Sequence, residues 1–147
     1  AAAQETLRPI LDEGGLWHGV GVQTGDLHWP IEVTLSAERP TLSYPSFGCR
    51  GSWQPLRIEG DAMLGIETIR EGRDTCSSGG VIRLRVIDDS RLAYAWFDAD
   101  GEPAARAVLV RGPFDDAHYE ALLELTMTEL DMNFLSRETP PAPTPEL

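Results

Sequence analysis

Hydrophobic and polar residues alternate along much of the chain between Leu16 and Arg111, the period-two pattern of a strand with one buried face. The clearest run extends from Leu27 to Ser36, where apolar side chains occupy every second position. Shorter alternating runs follow at Leu64-Ile66-Thr68, Ile82-Leu84-Val86, Leu92-Tyr94-Trp96 and Ala107-Leu109. The pattern predicts a mostly β fold built from short strands.

Turn-forming residues close each of these runs, at Thr24-Gly25-Asp26, Glu59-Gly60-Asp61, Ser78-Gly79-Gly80, Asp88-Asp89-Ser90 and Asp98-Ala99-Asp100-Gly101. Short strands joined by short turns are typical of an antiparallel meander. Strands with one apolar face must bury that face, so we predict seven or eight strands that form a small or partial barrel. A β-sandwich is the alternative.

A short helical segment precedes the strands. Leu7, Ile10 and Leu11 are spaced to cover one face of a helix, and Pro9 keeps that helix short. We therefore predict an N-terminal helical segment over residues 1–13.

A second change of pattern follows the predicted β domain of residues 14–112. Gly112-Pro113 interrupts the alternation, and apolar residues then recur at helical spacing. This predicts a C-terminal helix over residues 113–136, packed on the same domain. Residues 137–147 are rich in proline and have no apolar periodicity, which is typical of a tail or linker.

Gly15-Leu16-Trp17 stands at the start of the first predicted strand, and Arg111 ends the last one just before the helix. In this order the parts resemble those of lipocalins and the wider group of calycin-type barrels. The resemblance implies that Trp17 fills one end of the barrel and that Arg111 covers its ring in a cation–π contact.

The chain contains two cysteines, Cys49 and Cys76, without the CxxC spacing of redox-active pairs. An even count in a small chain, with no His/Cys cluster for zinc, suggests one structural disulfide. Two buried, reduced thiols are the alternative. A disulfide would indicate an oxidising compartment.

A second resemblance involves Tyr44-Pro45-Ser46-Phe47-Gly48-Cys49-Arg50-Gly51, followed by Glu67 to Gly72 and then Cys76. The pattern YPxxxCxG, ExxxxG, C is similar to a poorly characterised bacterial extracytoplasmic domain. The resemblance implies that the two cysteines pair and that the protein is periplasmic or secreted. The opening Ala1-Ala2-Ala3-Gln4 has the small-residue composition found near signal cleavage sites.

The charge balance argues against polyanionic partners. The chain carries 24 acidic and 12 basic residues, a net charge of −12, so its field repels nucleic acid and anionic lipid headgroups. Charged residues also interrupt each hydrophobic stretch well before the roughly 20 residues that a membrane span needs. We expect neither a nucleic-acid partner nor membrane insertion.

Glu67 and Glu71 are the carboxylate pair to weigh for acid–base chemistry. Arg70 and Arg73 are close in sequence, and a disulfide would bring Arg50 close as well. A structural Glu67 in a buried salt bridge is therefore favoured over a catalytic one.

Other candidate chemistry is weaker. Of the three histidines, His18, His28 and His118, the first two flank the first predicted hairpin but are not cross-strand neighbours, and a zinc site there would also need a third ligand. Ser77 and Ser78 lie outside any GxSxG motif, and no phosphate-binding glycine loop occurs. We predict no catalytic residue, metal or cofactor.

Aromatic residues supply the candidate binding surface. Tyr44, Phe47 and Trp53 surround the loop that carries Cys49, and aromatic groups on a pinned loop suit recognition. Core packing is the favoured interpretation of a second aromatic set, Trp29, Tyr94 and Trp96. On the predicted helix, three further residues suit a contact surface: Met127, Met132 and Phe134.

These features favour a non-catalytic extracytoplasmic module that binds an apolar ligand or a partner protein. The alternatives are a structural accessory subunit of a bacterial envelope complex and a secreted hydrolase inhibitor. An enzyme is the least favoured class.

Overall fold

Eight antiparallel strands make up most of the computed structural model, which describes residues 6–23, 27–98 and 100–130. The strands are β1 (Gly15–Gln23), β2 (His28–Leu35), β3 (Thr41–Tyr44), β4 (Cys49–Glu59), β5 (Ala62–Glu71), β6 (Val81–Asp88), β7 (Arg91–Phe97) and β8 (Pro103–Arg111). Each pairs with the next in sequence, and β1 also pairs with β8, so the sheet closes into a barrel. The predicted mostly β meander is confirmed, with eight strands and full closure.

Period-two patterning places the core inside the barrel. In β2, the side chains of Trp29, Ile31 and Val33 are buried, whereas Thr34 between Val33 and Leu35 is exposed. This is the alternation visible in the sequence, and it follows from the opposite directions of successive side chains in a strand. Leu27, at the start of the predicted run, instead precedes β2 and is 52% exposed.

From Met63 to Ile69, strand β5 directs its odd-numbered residues into the barrel, whereas the sequence pattern picked out the even-numbered ones. Met63, Glu67 and Ile69 are buried, whereas Leu64 and Thr68 are not. The β5 strand therefore carries a carboxylate into the core. The apparent Leu64-Ile66-Thr68 alternation marks the outer face.

A short helix covers one end of the barrel. The helix α1 (Arg8–Glu13) follows Leu7, whose amide donates to the carbonyl of Gly60 at 3.0 Å. Leu7 and Leu11 are completely buried and pack in the same cluster as Trp17. We call this the closed end of the barrel.

The closed end contains the arrangement that the calycin resemblance implies. Trp17 is fully buried, and Cζ of Arg111 lies 4.6 Å from the centre of its ring. The same guanidinium donates to the carbonyl of Asp89 at 2.9 Å and to Glu13 Oε1 at 3.0 Å. Arg111 therefore ties the last strand to α1 and to the β6–β7 turn.

The C-terminal helix α2 (Tyr119–Glu129) packs against β1 and β8 on the outside of the barrel. It begins later than predicted, because Asp116–His118 forms a separate 3-10 turn in which the Asp115 side chain accepts from the Ala117 amide. Residues 131–147 lie outside the described part, so the end of the predicted helix at 136 and the proline-rich tail are not addressed. Among the described residues, no helix has the length and apolar character needed to span a bilayer.

Candidate functional site

A disulfide joins two loops at the end of the barrel opposite α1. Cys49 and Cys76 are bonded, with an S–S distance of 2.01 Å, and they connect the start of β4 to the loop between β5 and β6. Gly72 makes this approach possible, because its φ is +84° and a Cβ there would lie 2.8 Å from Cys49 Sγ. The predicted disulfide is confirmed, and it fits an extracytoplasmic location.

A cavity of about 270 Å3 opens at this disulfide end of the barrel. Its walls come from the inward faces of five strands, from the two disulfide-linked loops and from Leu27, which directly precedes β2. The lining residues are mostly aromatic or small and polar: Gln23, Leu27, Trp29, Tyr44, Phe47, Glu67, Thr75, Cys76, Ser77, Tyr94 and Trp96. We call this space the mouth cavity.

Glu67 supplies the one charged side chain among those described residues that line the mouth cavity. The residue is 2% exposed, and its Oε1 accepts hydrogen bonds from Tyr44 Oη at 2.7 Å and Trp53 Nε1 at 2.9 Å. Oε1 is thus fixed by two donors of the protein, whereas Oε2 accepts no hydrogen bond of normal geometry from a described residue.

Burial raises the pKa of the Glu67 carboxyl above its usual value of 4.5, and hydrogen bonds from Trp53 and Tyr44 oppose that rise. The Trp96 indole also lowers this pKa by its proximity, although Nε1 of Trp96 makes no hydrogen bond of normal geometry to any described residue. Burial outweighs these donors, so the environment disfavours the charged form of Glu67, and no cation is among the groups that offset its burial.

The predicted salt bridge of Glu67 is wrong. Arg50 points outward and lies 3.9 Å from Glu71, and both side chains are largely exposed. Arg50 is on the outer face of β4, as Arg70 is on that of β5, whereas Glu67 faces inward. Strand parity therefore separates the carboxylate from the arginines that are near it in sequence.

Two tyrosines extend the network around Glu67. The hydroxyls of Tyr44 and Tyr94 are 3.1 Å apart, and because Tyr44 donates to Glu67, Tyr94 is the donor to Tyr44. Burial raises the pKa of both phenols well above 10. Both therefore remain protonated donors, and the chain runs from Tyr94 through Tyr44 to the carboxylate.

The aromatic rings of the mouth cavity pack edge to face. The Trp29 and Tyr44 ring centres are 4.9 Å apart at an interplanar angle of 76°, and the Trp29 and Phe47 centres are 6.4 Å apart. Beneath them, Trp53 stacks on Tyr94 at 5.8 Å. These contacts restrict the rings and shape the cavity before any ligand enters.

The residues of the predicted binding surface do not lie together in the structure. Tyr44 and Phe47 line the mouth cavity, but Trp53 does not belong to a surface, because it is fully buried in mid-strand and points into the core. Met127 is 52% exposed on α2, away from the cavity. Met132 and Phe134 lie outside the described residues.

His18, His28 and Ser78 make hydrogen bonds within the fold. His18 Nδ1 contacts the carbonyl of Gly112 at 2.7 Å, and His28 Nδ1 contacts Tyr119 Oη at 2.6 Å. Ser78 Oγ accepts from the Ile69 amide at 3.0 Å, whereas Ser77 lines the mouth cavity. In the described part of the chain, no three His, Cys, Asp or Glu side chains are grouped to hold a metal ion.

Sequence reasoning missed the role of Trp29, Tyr94 and Trp96, which it assigned to the core. All three are mostly buried, but they also line the mouth cavity. All three lie near strand ends that meet the disulfide-linked loops. Such ends converge on one rim of a barrel, so this position could have indicated a place in the cavity wall.

The chain was compared with known proteins. A scan against protein-family profiles finds no match, and a search of curated proteins finds no significant match.

Proposed function

We propose that this protein is a non-catalytic binding module that holds a small, largely apolar ligand in the mouth cavity. The observation that supports this is a preformed aromatic cavity at one end of a closed barrel, with one buried carboxylate at its wall. A concave, mainly apolar site with few convergent polar groups is the usual form of a small-molecule site.

The size of the mouth cavity favours a compact ligand. Its volume of about 270 Å3 lies just below the roughly 300–1,000 Å3 of typical small-molecule sites. A ligand with one ring or a short chain would therefore suit it better than a long lipid.

The rigidity of the rim also supports binding. The Cys49–Cys76 disulfide holds the β5–β6 loop against the β3–β4 loop, and both loops contribute cavity residues. A site that is held open before binding loses less conformational entropy when the ligand enters.

The closed barrel, the stacking of Arg111 on Trp17 and the helix after the last strand support a calycin-like assignment. The disulfide supports the second resemblance, to a bacterial extracytoplasmic domain, and with it a periplasmic or secreted location.

Blocking the mouth cavity tests the proposal. Compact apolar fragments of positive, zero and negative charge are titrated into 15N-labelled protein, and amide shifts map where each binds. At least one fragment is expected to shift the amides of cavity-lining residues, and Ser77→Trp, at the exposed rim, is expected to abolish those shifts. Thr128→Trp, exposed on α2, is the matched control and should leave them intact. The proposal would be overturned if no fragment shifted these amides, or if the shifts persisted in Ser77→Trp.

A protein partner is the second candidate. It is favoured by a shallow groove on α2 formed by Ala121, Leu123 and Met127 together with Glu120 and Glu124, where Met127 is 52% exposed. An accessory subunit or an inhibitor would use such a surface.

A further inference from the structure

We infer that the mouth cavity selects a compact organic ammonium ion, an amine with a short apolar or aromatic body. This inference rests on the proposed binding function and specifies its ligand class. Three features carry it: the buried Glu67 carboxylate at the cavity wall, with both of its described hydrogen bonds on Oε1, the aromatic walls, and the charge of the protein.

The carboxylate needs a cation. Tyr44 and Trp53 both donate to Oε1 and the Trp96 indole lies near the carboxyl, so this buried group is surrounded by neutral donors and by no guanidinium. A buried charge without a counterion is costly, and removal of that cost favours a cationic ligand over a neutral one. An ammonium N–H directed at Oε2 would form a charge-assisted hydrogen bond in a site partly shielded from water.

The aromatic walls suit the same ligand. Trp29, Tyr44, Phe47 and Trp96 line the cavity from β2, β3, the following 3-10 turn (Pro45–Phe47) and β7. Aromatic faces attract an ammonium ion through their quadrupole and also pack against its apolar body. A carboxylate together with several rings is thus complementary to an organic cation.

The charges of the cavity lining and of the whole chain disfavour an anionic ligand. Among the described residues that line the cavity, none is Arg, and the chain has a net charge of −12. The overall field accordingly attracts cations toward the protein and repels anions.

The test uses three probes with one apolar body and different charge: 2-phenylethylamine, 2-phenylethanol and phenylacetate. Each is titrated calorimetrically at neutral pH into the intact protein. The amine is expected to bind roughly tenfold or more tightly than the alcohol, since a charge-assisted hydrogen bond to the carboxylate is stronger than a neutral one. Phenylacetate is expected to bind more weakly than the alcohol.

Glu67→Gln then assigns the selectivity to the carboxylate. The amide keeps the size of the side chain and an oxygen for Tyr44 and Trp53 but removes the charge. The amine is expected to lose its advantage over the alcohol, while the alcohol's affinity changes little. Glu71→Gln, on the exposed end of the same strand, is the control and should preserve the preference.

Equal binding of the amine and the alcohol by the wild-type protein would overturn the inference, with no variant required to fold. Tighter binding of phenylacetate, or a Glu67→Gln variant that retains the amine preference, would overturn it too. If the alcohol alone binds in the mouth cavity, the proposed binding function stands while the ammonium inference fails. If none of the three probes binds, the inference fails and the fragment titration decides the proposed function separately.

Discussion

The hydroxyl of Thr126 donates a 2.9 Å hydrogen bond to the carbonyl of Val20 and accepts a 3.0 Å bond from the amide of Val108. These two main-chain groups lie on β1 and β8, between the directly paired positions Gly19↔Leu109 and Val22↔Arg106. A side chain of α2 therefore fills a gap in the hydrogen-bond ladder that closes the barrel. The helix is part of the closure, not only a cover on its surface.

The first prediction concerns that seam. Thr126→Val keeps the shape of the side chain but leaves the Val20 carbonyl and the Val108 amide without their partner. Unpaired buried polar groups are costly, so the free energy of unfolding should fall on the order of 2 kcal/mol. Urea denaturation followed by tryptophan fluorescence measures it. Thr128→Val, exposed on the same helix, should change little, and an equal midpoint for both variants would show that the seam closes without the hydroxyl.

The second prediction concerns Arg111, which stacks on Trp17 and also contacts Glu13 and the Asp89 carbonyl. Arg111→Ala should lower the free energy of unfolding by about 1–2 kcal/mol, through lost stacking and lost packing of the side-chain stem. Arg50→Ala is the control, because its ion pair with Glu71 is exposed and should contribute little. An unchanged denaturant midpoint for Arg111→Ala would contradict the structural role assigned to it.

The third prediction concerns the disulfide. Cys49 and Cys76 are 27 positions apart, and closing a loop of that length stabilises a protein by about 3–4 kcal/mol in the loop-entropy description. Reduction should therefore lower the unfolding midpoint and loosen the rim of the mouth cavity. Intact mass after alkylation, with and without reductant, measures the bond directly. Two thiols that alkylate freely in the non-reduced native protein would rule out both the bond and the assigned compartment.

The fourth prediction follows from the raised pKa of Glu67. Because its pKa is higher in the folded than in the unfolded protein, its contribution to stability is greatest at low pH. That contribution is lost as pH rises from about the usual value of 4.5 through the raised pKa. The stability of the wild type minus that of Glu67→Gln should therefore fall over this interval.

Chemical denaturation at a series of pH values measures this difference. Glu71→Gln, at an exposed position of the same strand, is the control for the loss of one carboxylate charge. A wild-type advantage over Glu67→Gln that stays constant or grows with pH would contradict the assigned environment of the carboxylate.

Local patterning predicted much of the fold. The alternation around Trp29, Ile31 and Val33 identifies β2 and its buried face, because side chains in a strand alternate regardless of the rest of the structure. A barrel and a sandwich both show that alternation, so the local sequence pattern could not distinguish between them. It depends on the pairing of β1 with β8 and on Thr126, contacts between residues far apart in sequence.

The mouth cavity was only partly predictable. Tyr44 and Phe47 were found because they are close to Cys49 in sequence. Glu67, in contrast, was predicted to form a salt bridge with arginines that are near it in sequence. Glu67 is an even number of positions from Met63 and Ile69 on the same strand, and this spacing would have placed it inside the barrel with them. Its true partners, Tyr44, Trp53 and Tyr94, come from other strands, and neither spacing nor composition links them.

Closure of the barrel also limits how this protein meets other polypeptides. Each of the eight described strands has a hydrogen-bonded neighbour on both sides, so the described sheet has no edge strand. Unpaired main-chain edges occur where a strand extends past its neighbour, as at residues 54–59 of β4, which pair with β5 but not with β3. Addition of a foreign strand to the described domain is therefore limited to such short segments, and selectivity toward another molecule falls mainly to side chains and to the loops at the rims.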